Sequence, residues 1–516
     1  MHLRVHSLNQ HLHCANTLLL ILFLLSVCVI GVGQTPRVSA RLMPVRAERV
    51  IVISLDGLDG RYLLRRDEFG LQIPALRRLM VNGATSTNVI SIYPSVTYPA
   101  HTTLVTGARP AQHGIFANEE FKPGETSDIR ELQWFARAIK ADTLWDAAAR
   151  RRLKTAMVSW PVSVGAGDYN FPEILKLGGT LEETLELIKA NDRPQGFVEE
   201  VEKRDPHLYS RLNKDEGDDM RTRFAEYIIT EKHPDLLLVH LFDLDHFQHD
   251  FGPFTPEAFA MLEKADGYVG RILAAAERAG TLDDTAIFVV SDHGFMPIKQ
   301  RAHPGVLLAE AGLIKVRQEK DANGKVRDVI DSWRALPYVT SGSCSIILHD
   351  PKDKDALRTA RAIFKRREEK KESGIYRVVE SKEIRQLGGN PRAAFMVDAA
   401  DGYTFGSNYS GPFITNTNQR GQHGFLPTRS NYRTSFIMSG SIITRRGDLG
   451  EVRMIDIAPT IARVQNLWLK NSEGHALALW SNTITHSSYS QPQPRIARQV
   501  GCVHSRCEAG ESSFEP

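Results

Sequence analysis

The stretch "PDLLLVHLFDLDHFQHDFG" (234–252) opens as a run of large apolar residues and closes on three aspartates and two histidines. Its first half lacks polar alternation, which predicts a strand covered on both faces, as in a parallel sheet. Its second half crowds like charges that are expensive to bury unpaired. Either residues 243–252 form a solvated loop, or something positive sits among their side chains.

The same pattern recurs in "RVIVISLDG" (49–57), "KTAMVSWP" (154–161) and "TAIFVVSDHG" (285–294), each an apolar run ending in a polar cluster. Helical segments lie between them. In "TPEAFAMLEKADGYVGRILAAAERAG" (255–280), Thr255 is placed as N-cap, Pro256 at the first helical position and Gly280 as the stop. Apolar strands alternating with helices predict an α/β fold with a mostly parallel sheet covered on both faces. Ligands bind such sheets beyond the carboxyl ends of the strands. That edge would carry Asp56, Asp243, Asp245, Asp292 and His293. Residues 165–230 and 320–415 are more polar and less periodic, and are read as insertions or a cap over this edge. "MIDIAPTIARVQNL" (454–467) reads as a closing helix.

The 516 residues are 42% hydrophobic and 24% charged, with a formal net charge of +3, which is ordinary globular composition. No basic stripe marks a structural nucleic-acid partner. "TLLLILFLLSVCVIGVG" (17–33) is uncharged, follows Arg4 and precedes small residues, the layout of a secretory signal. Residues 1–33 are therefore expected to be a signal peptide or, uncleaved, a membrane anchor. Either places the body of the chain outside the cytoplasm, in a periplasmic or extracellular space. A linker (34–46), one catalytic domain (47–480) and a Ser/Gln/Pro-rich disordered tail (481–516) complete the expected organisation. Cys502 and Cys507 could pair in an oxidising compartment.

The polar clusters are Asp56; "YPSVTYPAH" (93–101); Asp245 with His249; Asp292 with His293; and His423. Carboxylates with imidazoles are ligands for Zn²⁺ and similar divalent ions. Two such ions about 3.5–4 Å apart form a clamp for in-line displacement at phosphorus. They would also neutralise the acidic crowd of 243–252. Ser95, Thr97, Thr102 and Thr103 are the candidate nucleophiles. Pro99 suits a first helical turn, which would set Thr97 just ahead of a helix N-terminus, where an anion is favoured.

Taken together, these motifs resemble the ectonucleotide pyrophosphatase/phosphodiesterase family of the alkaline phosphatase superfamily. "VISLDG" (52–57) is similar to its first metal strand, and "YPSVTYPAHTTLVTGARPAQHGIFANE" (93–119) to its nucleophile segment. "DHFQHDFGP" (245–253), "SDHG" (291–294) and "QHGF" (422–425) are similar to its later ligand motifs, the first of these as an Asp-x-x-x-His ligand loop. "SWP" (159–161) resembles its Trp-Pro turn and "IDIAPTI" (455–461) its closing helix. The resemblance spans about 45–470 and implies a three-layer α/β/α, alkaline-phosphatase-like fold with inserted cap segments. It implies that Asp245, His249 and His423 hold one zinc and Asp56, Asp292 and His293 the other. It implies Thr97 as the metal-bridged nucleophile, passing through a phosphothreonine, and Asn118 as donor to a non-bridging phosphoryl oxygen. Tyr98 corresponds to an aromatic that stacks on a nucleobase. The family's second aromatic is replaced by Leu175, with Tyr169 and Phe171 nearby, and its Gly after Trp-Pro is Val162. Asp243, His246, Asp250, His101 and His113 are expected to be outer or structural residues.

The expected function is hydrolysis of a small-molecule phosphodiester or nucleotide pyrophosphate bond by an exported two-zinc enzyme. A phosphomonoesterase, with Arg109 as the extra charge, or a phosphonate hydrolase would share the frame. A metal-binding protein without turnover is the reading from another class. A sulfatase is disfavoured because no Cys-x-Pro-x-Arg lies near Thr97.

Overall fold

The computed structural model describes residues 47–122, 132–175, 179–206, 208, 217–320, 326–370 and 372–479. The expected signal or anchor, the linker up to residue 46 and the tail with Cys502 and Cys507 lie outside the described residues. Among the described residues, no helix is long and apolar enough to cross a membrane.

A nine-stranded sheet organises the chain. Its order is Gly447–Asp448, Ala84–Ile90, Thr434–Ser439, Thr285–Val290, Arg49–Leu55, Leu236–Leu241, Thr155–Val158 and Tyr169–Phe171, with Glu451–Arg453 also paired to Ala84–Ile90. Only Thr434–Ser439 runs antiparallel to its neighbours. The apolar runs form strands because both pleat faces are buried. Ile51, Ile53 and Leu55 enter one core and Val50 and Val52 the other. Leu237, Val239 and Leu241 against Leu236 and Leu238 divide in the same way. The helix Pro256–Arg278 packs in the first core. The helices Thr97–Thr106 and Ile457–Val464 pack in the second. The result is the three-layer α/β/α arrangement.

The central strands end level. Ser54 lies opposite both His240 and Val290, and Leu55 opposite Leu241. The residues that follow, Asp56, Phe242–Asp245 and Ser291–His293, therefore emerge side by side at one edge.

Residues 165–230 include the helices Leu181–Asn191, Phe197–Arg204 and Gly217–Tyr227, of which the first and third line the cavity at that edge. Residues 320–415 are more ordered than their pattern suggested. They hold a four-stranded antiparallel sheet of Ala335–Thr340, Ser343–Leu348, Ala393–Ala399 and Ile375–Glu380, with the helix Lys354–Glu368 packed on it around its own core. A smaller sheet centred on Met296–Ala302 joins this lobe to the large sheet and brings Gly421–Gln422, and so His423, back to the active edge.

Two local expectations need correction. Residues 243–252 are not a loop: Asp243–Phe251 is a helix, and the Asp-x-x-x-His spacing sets Asp245 and His249 one turn apart on one face. The nucleophile-segment helix begins at Thr97 itself, with Pro99 inside the first turn. Proline is tolerated there because those first N–H groups have no intrahelical acceptor.

Candidate active site

Two groups of ligating side chains stand at the strand ends, Asp56 with Asp292 and His293, and Asp245 with His249 and His423. His293 Nε2 lies 3.2 Å from Asp56 Oδ1 and 3.2 Å from Asp292 Oδ2, and 4.0 Å from Asp245 Oδ1. His249 Nε2 lies 3.3 Å from Asp245 Oδ2, and His423 Nε2 3.7 Å from Asp245 Oδ1. The His293 and His423 rings stack at 3.7 Å. The two groups are thus contiguous.

The protons decide what this arrangement can hold. His293 Nδ1 donates to the Gly294 carbonyl (3.2 Å), and burial, then the neighbouring His423, pushes the ring's pKa well below its ordinary value. The ring is neutral, so Nε2 presents a lone pair to two carboxylate oxygens. Likewise His249 Nδ1 donates to Gly421 O (3.0 Å), turning Nε2 toward Asp245. Asp56 Oδ1, Asp245 Oδ1, Asp292 Oδ2 and His293 Nε2 are all buried without a hydrogen-bond partner. Acceptor facing acceptor is reconciled by a cation, and this donor set fits a divalent transition ion.

The carboxylates show the corresponding stress. Burial, then Asp292 and Asp245, pushes Asp56 well above the usual carboxylate range, and burial pushes Asp292 up to about 7. Burial opposes ionisation of Asp245 too, but His249, His423 and His293 hold its carboxyl well below that range. Gly57 donates its N–H to Asp292 Oδ1 at 3.1 Å. Its φ is +67°, and a Cβ there would meet Gln248 at 2.9 Å, so the turn after Asp56 requires glycine.

Of the four candidate hydroxyls, Thr97 alone faces the cavity. Ser95 donates to Phe425 O, Thr102 to Tyr98 O and Thr103 to Ala108 O, and all three are fully buried, whereas Thr97 is 8% exposed. Thr97, Asp56, Asp245, His249, His423 and Asn118 share a cavity of about 350 Å³. Asn118 Oδ1 accepts from Tyr98 N (2.9 Å), which leaves the amide NH₂ as a donor. The Tyr98 ring also lines the cavity and packs on Ile115 and Val162. Val162 has φ +55°, the conformation that favours glycine at this turn. Phe171 borders the cavity but stacks on Phe224 (4.0 Å, 20°). Leu175 stands at the rim, 47% exposed.

The outer histidines divide. His101 donates from Nδ1 to Thr97 O (2.8 Å) and meets Ser54 Oγ at Nε2 (2.8 Å), bracing the Thr97 turn. His113 Nδ1 accepts from Ile115 N (3.1 Å), so Nε2 carries its proton, toward Thr103 Oγ1 (3.2 Å). Burial pushes its pKa down to about 3. The stabilising effect of this neutral ring is fully present above the ordinary histidine pKa near 6.5 and is lost as pH falls toward 3, because the unfolded chain takes a proton the folded chain refuses. His113→Asn should therefore flatten the fall in stability between pH 6.5 and 4 by about 1.4 kcal/mol per pH unit, read from denaturant midpoints at several pH values.

Sequence reasoning missed His240 and Glu173. His240 Nε2 lies 3.0 Å from Asp56 Oδ2, and Nδ1 lies 2.8 Å from Glu173 Oε2. Burial works against a charge on His240, but Glu173 and Asp56 push its pKa up to about 10. The available signal was an imidazole inside the apolar run "LLLVHL", where it must find buried partners. Asp243 is a structural residue: it accepts from Asp218 N and pairs with Arg221.

The family profile described as type I phosphodiesterase/nucleotide pyrophosphatase matches residues 50–426. The chain belongs to this family. It is 24% identical over 301 residues to human ectonucleotide pyrophosphatase/phosphodiesterase family member 1, covering 56% of this chain and 28% of that protein. It is 26% identical over 258 residues to an uncharacterized pyrophosphatase/phosphodiesterase of Schizosaccharomyces pombe, covering 48% and 45%. The chain thus spans less than half the length of these phosphodiesterase relatives. The solved structure of murine ectonucleotide pyrophosphatase/phosphodiesterase 5 shares the fold, with TM-score 0.57 and 19% identity over 83% of this chain and 97% of that one.

Proposed function

We propose that this chain is an exported phosphodiesterase that uses two divalent ions, zinc by ligand type, and a covalent intermediate on Thr97. The carrying observation is His293 Nε2, a buried lone pair held 3.2 Å from two carboxylate oxygens. We assign Asp56, Asp292 and His293 to one ion and Asp245, His249 and His423 to the other. The ions, when bound, supply charge neutralisation and polarisation of the attacking and departing oxygens. Thr97 Oγ loses its proton and bonds to phosphorus as the bond to the leaving oxygen breaks, and the leaving oxygen takes up one proton by way of solvent, so that the step is proton-neutral. The Asn118 NH₂ donates to a non-bridging oxygen as its charge grows. Water then cleaves the Thr97 ester, restoring the hydroxyl and releasing a phosphomonoester. Leu181, Leu185, Ile188, Met220 and Phe242 give the cavity apolar walls for an organic substituent. Support for a small nucleotide or phosphodiester substrate comes from the relatives' names and from a murine neighbour solved, as an inactive variant, in complex with AMP.

Two arginines bear on the phosphomonoesterase alternative. Arg221 is engaged by Asp218 (2.8 Å) and Asp243 (3.3 Å), and Arg109 is paired with Glu473 rather than lining the cavity. Neither is available for the additional charge of a monoester. Zinc-loaded full-length protein should turn over bis(p-nitrophenyl) phosphate with kcat/KM roughly 100-fold above that for p-nitrophenyl phosphate, a difference of about 2.7 kcal/mol in transition-state binding. Equal or greater monoester turnover would overturn the diesterase reading.

A further inference from the structure

We propose that His240, held in turn by Glu173, is a positioning residue for Asp56: together they fix which carboxylate oxygen Asp56 turns to its ion. The inference rests on the two-ion reading above and gives a role to two side chains that reading leaves idle. A carboxylate is two-fold symmetric about its terminal bond, so a ligating aspartate needs a neighbour that holds one oxygen in place. Asp56 Oδ2 meets His240 Nε2 at 3.0 Å. Asp56 Oδ1 is buried without a hydrogen-bond partner, 3.2 Å from His293 Nε2. One oxygen is thus occupied and the other is left for a cation.

The sheet places the ring for this. His240 pairs with Ser54 across the parallel strands, and Asp56 lies two residues beyond Ser54, on the same side of the chain. The ring is 1% exposed and is fixed from its far side as well. Its Nδ1 meets Glu173 Oε2 at 2.8 Å and the Ser159 carbonyl at 3.1 Å. Acceptors face both ring nitrogens, so both donate. Glu173 lies two residues beyond the strand Tyr169–Phe171, and Asp56 directly follows Arg49–Leu55. A line of hydrogen bonds therefore runs Glu173–His240–Asp56 across the strand ends to the ligating group. Bonds to a carboxylate are about twice as strong as those between neutral groups, so Glu173 is the firmer hold on Nδ1 and the Ser159 carbonyl the weaker. Glu173 also lines the cavity, so contact with substrate is the competing role that the test must separate.

The test is competition for Zn²⁺ between a chromogenic chelator and full-length wild type, Glu173→Ala, Glu173→Gln and His240→Phe, with KM for bis(p-nitrophenyl) phosphate measured at saturating zinc. Glu173→Ala should raise one of the two zinc dissociation constants about tenfold and the other less than about threefold, the scale on which partners of metal ligands act. Glu173→Gln, which keeps an acceptor for Nδ1, should stay within about threefold of wild type at both. His240→Phe, which removes the donor to Asp56, should weaken the same ion by about 100-fold. The Glu173 side chain is 13% exposed at the cavity wall, so its variants keep the test decisive if His240→Phe does not fold. KM at saturating zinc should change less than about twofold, because positioning acts on the ion and not on the substrate. Zinc constants unchanged in Glu173→Ala, equal rises in both constants, or a rise in KM with zinc binding intact would overturn the positioning role. Wild type that binds no zinc would sink the two-ion reading itself, whereas wild type that binds two ions with no dependence on Glu173 would sink this inference alone.

Discussion

Replacing Thr97 by Ala is expected to reduce turnover of bis(p-nitrophenyl) phosphate by on the order of 10⁴-fold or more, the scale seen when a covalent nucleophile is removed. The fold should survive. Thr97 is the first residue of its helix, the preceding cap is made without a side-chain hydrogen bond, and His101 uses the Thr97 backbone carbonyl rather than its hydroxyl. Alanine keeps that carbonyl and is the better helix former. The melting temperature should therefore move by no more than about 2 °C. Turnover within tenfold of wild type would show that another hydroxyl or water attacks. Ser95, Thr102 and Thr103 are poor substitutes, since each is sealed in the core and already donates to a carbonyl.

Chelation should produce the second large effect, on activity and on stability together. Removing two ions held at about 1,000 times their Kd withdraws roughly 4 kcal/mol each, which corresponds to a melting decrease on the order of 10 °C. It should also change the sign of a pH trend. Without metal, burial pushes Asp292 up to about 7 in the folded chain. A folded pKa above the unfolded value means stability present below about pH 4 that is lost as pH rises toward 7. Metal-loaded protein keeps this carboxylate ionised and lacks that loss. The melting difference between loaded and chelated protein should thus widen from pH 5 to pH 7.5, and adding Zn²⁺ should close it. A difference that is constant across this range would mean that the ions do not neutralise the Asp56–Asp292 pair.

The sheet was legible because its strands are apolar on both faces and end abruptly in acid, so strand identity and strand end were written together at Asp56, Asp243 and Asp292. The convergence of His423 was not visible in spacing. It depends on Gly421–Gln422 pairing with Met296–Ala302, a contact across more than a hundred residues. The helix at 243–251 could have been inferred from the four-residue separation of Asp245 and His249. The lobe within 320–415 was obscured by short antiparallel strands such as "IYRVVE", whose polar and apolar residues do not alternate cleanly. Glu173 had no sequence signal, because its partner, His240, is brought to it only in three dimensions.

The central claim is a pair of cations at the carboxyl edge of the sheet. Elemental analysis of full-length protein, exchanged into metal-free buffer after zinc loading, tests it most directly. We expect about two divalent ions per chain for wild type, and about one for a His423→Ala variant that keeps wild-type secondary structure. Wild-type protein that retains no transition metal, or a His423→Ala variant that retains both ions, would contradict the account.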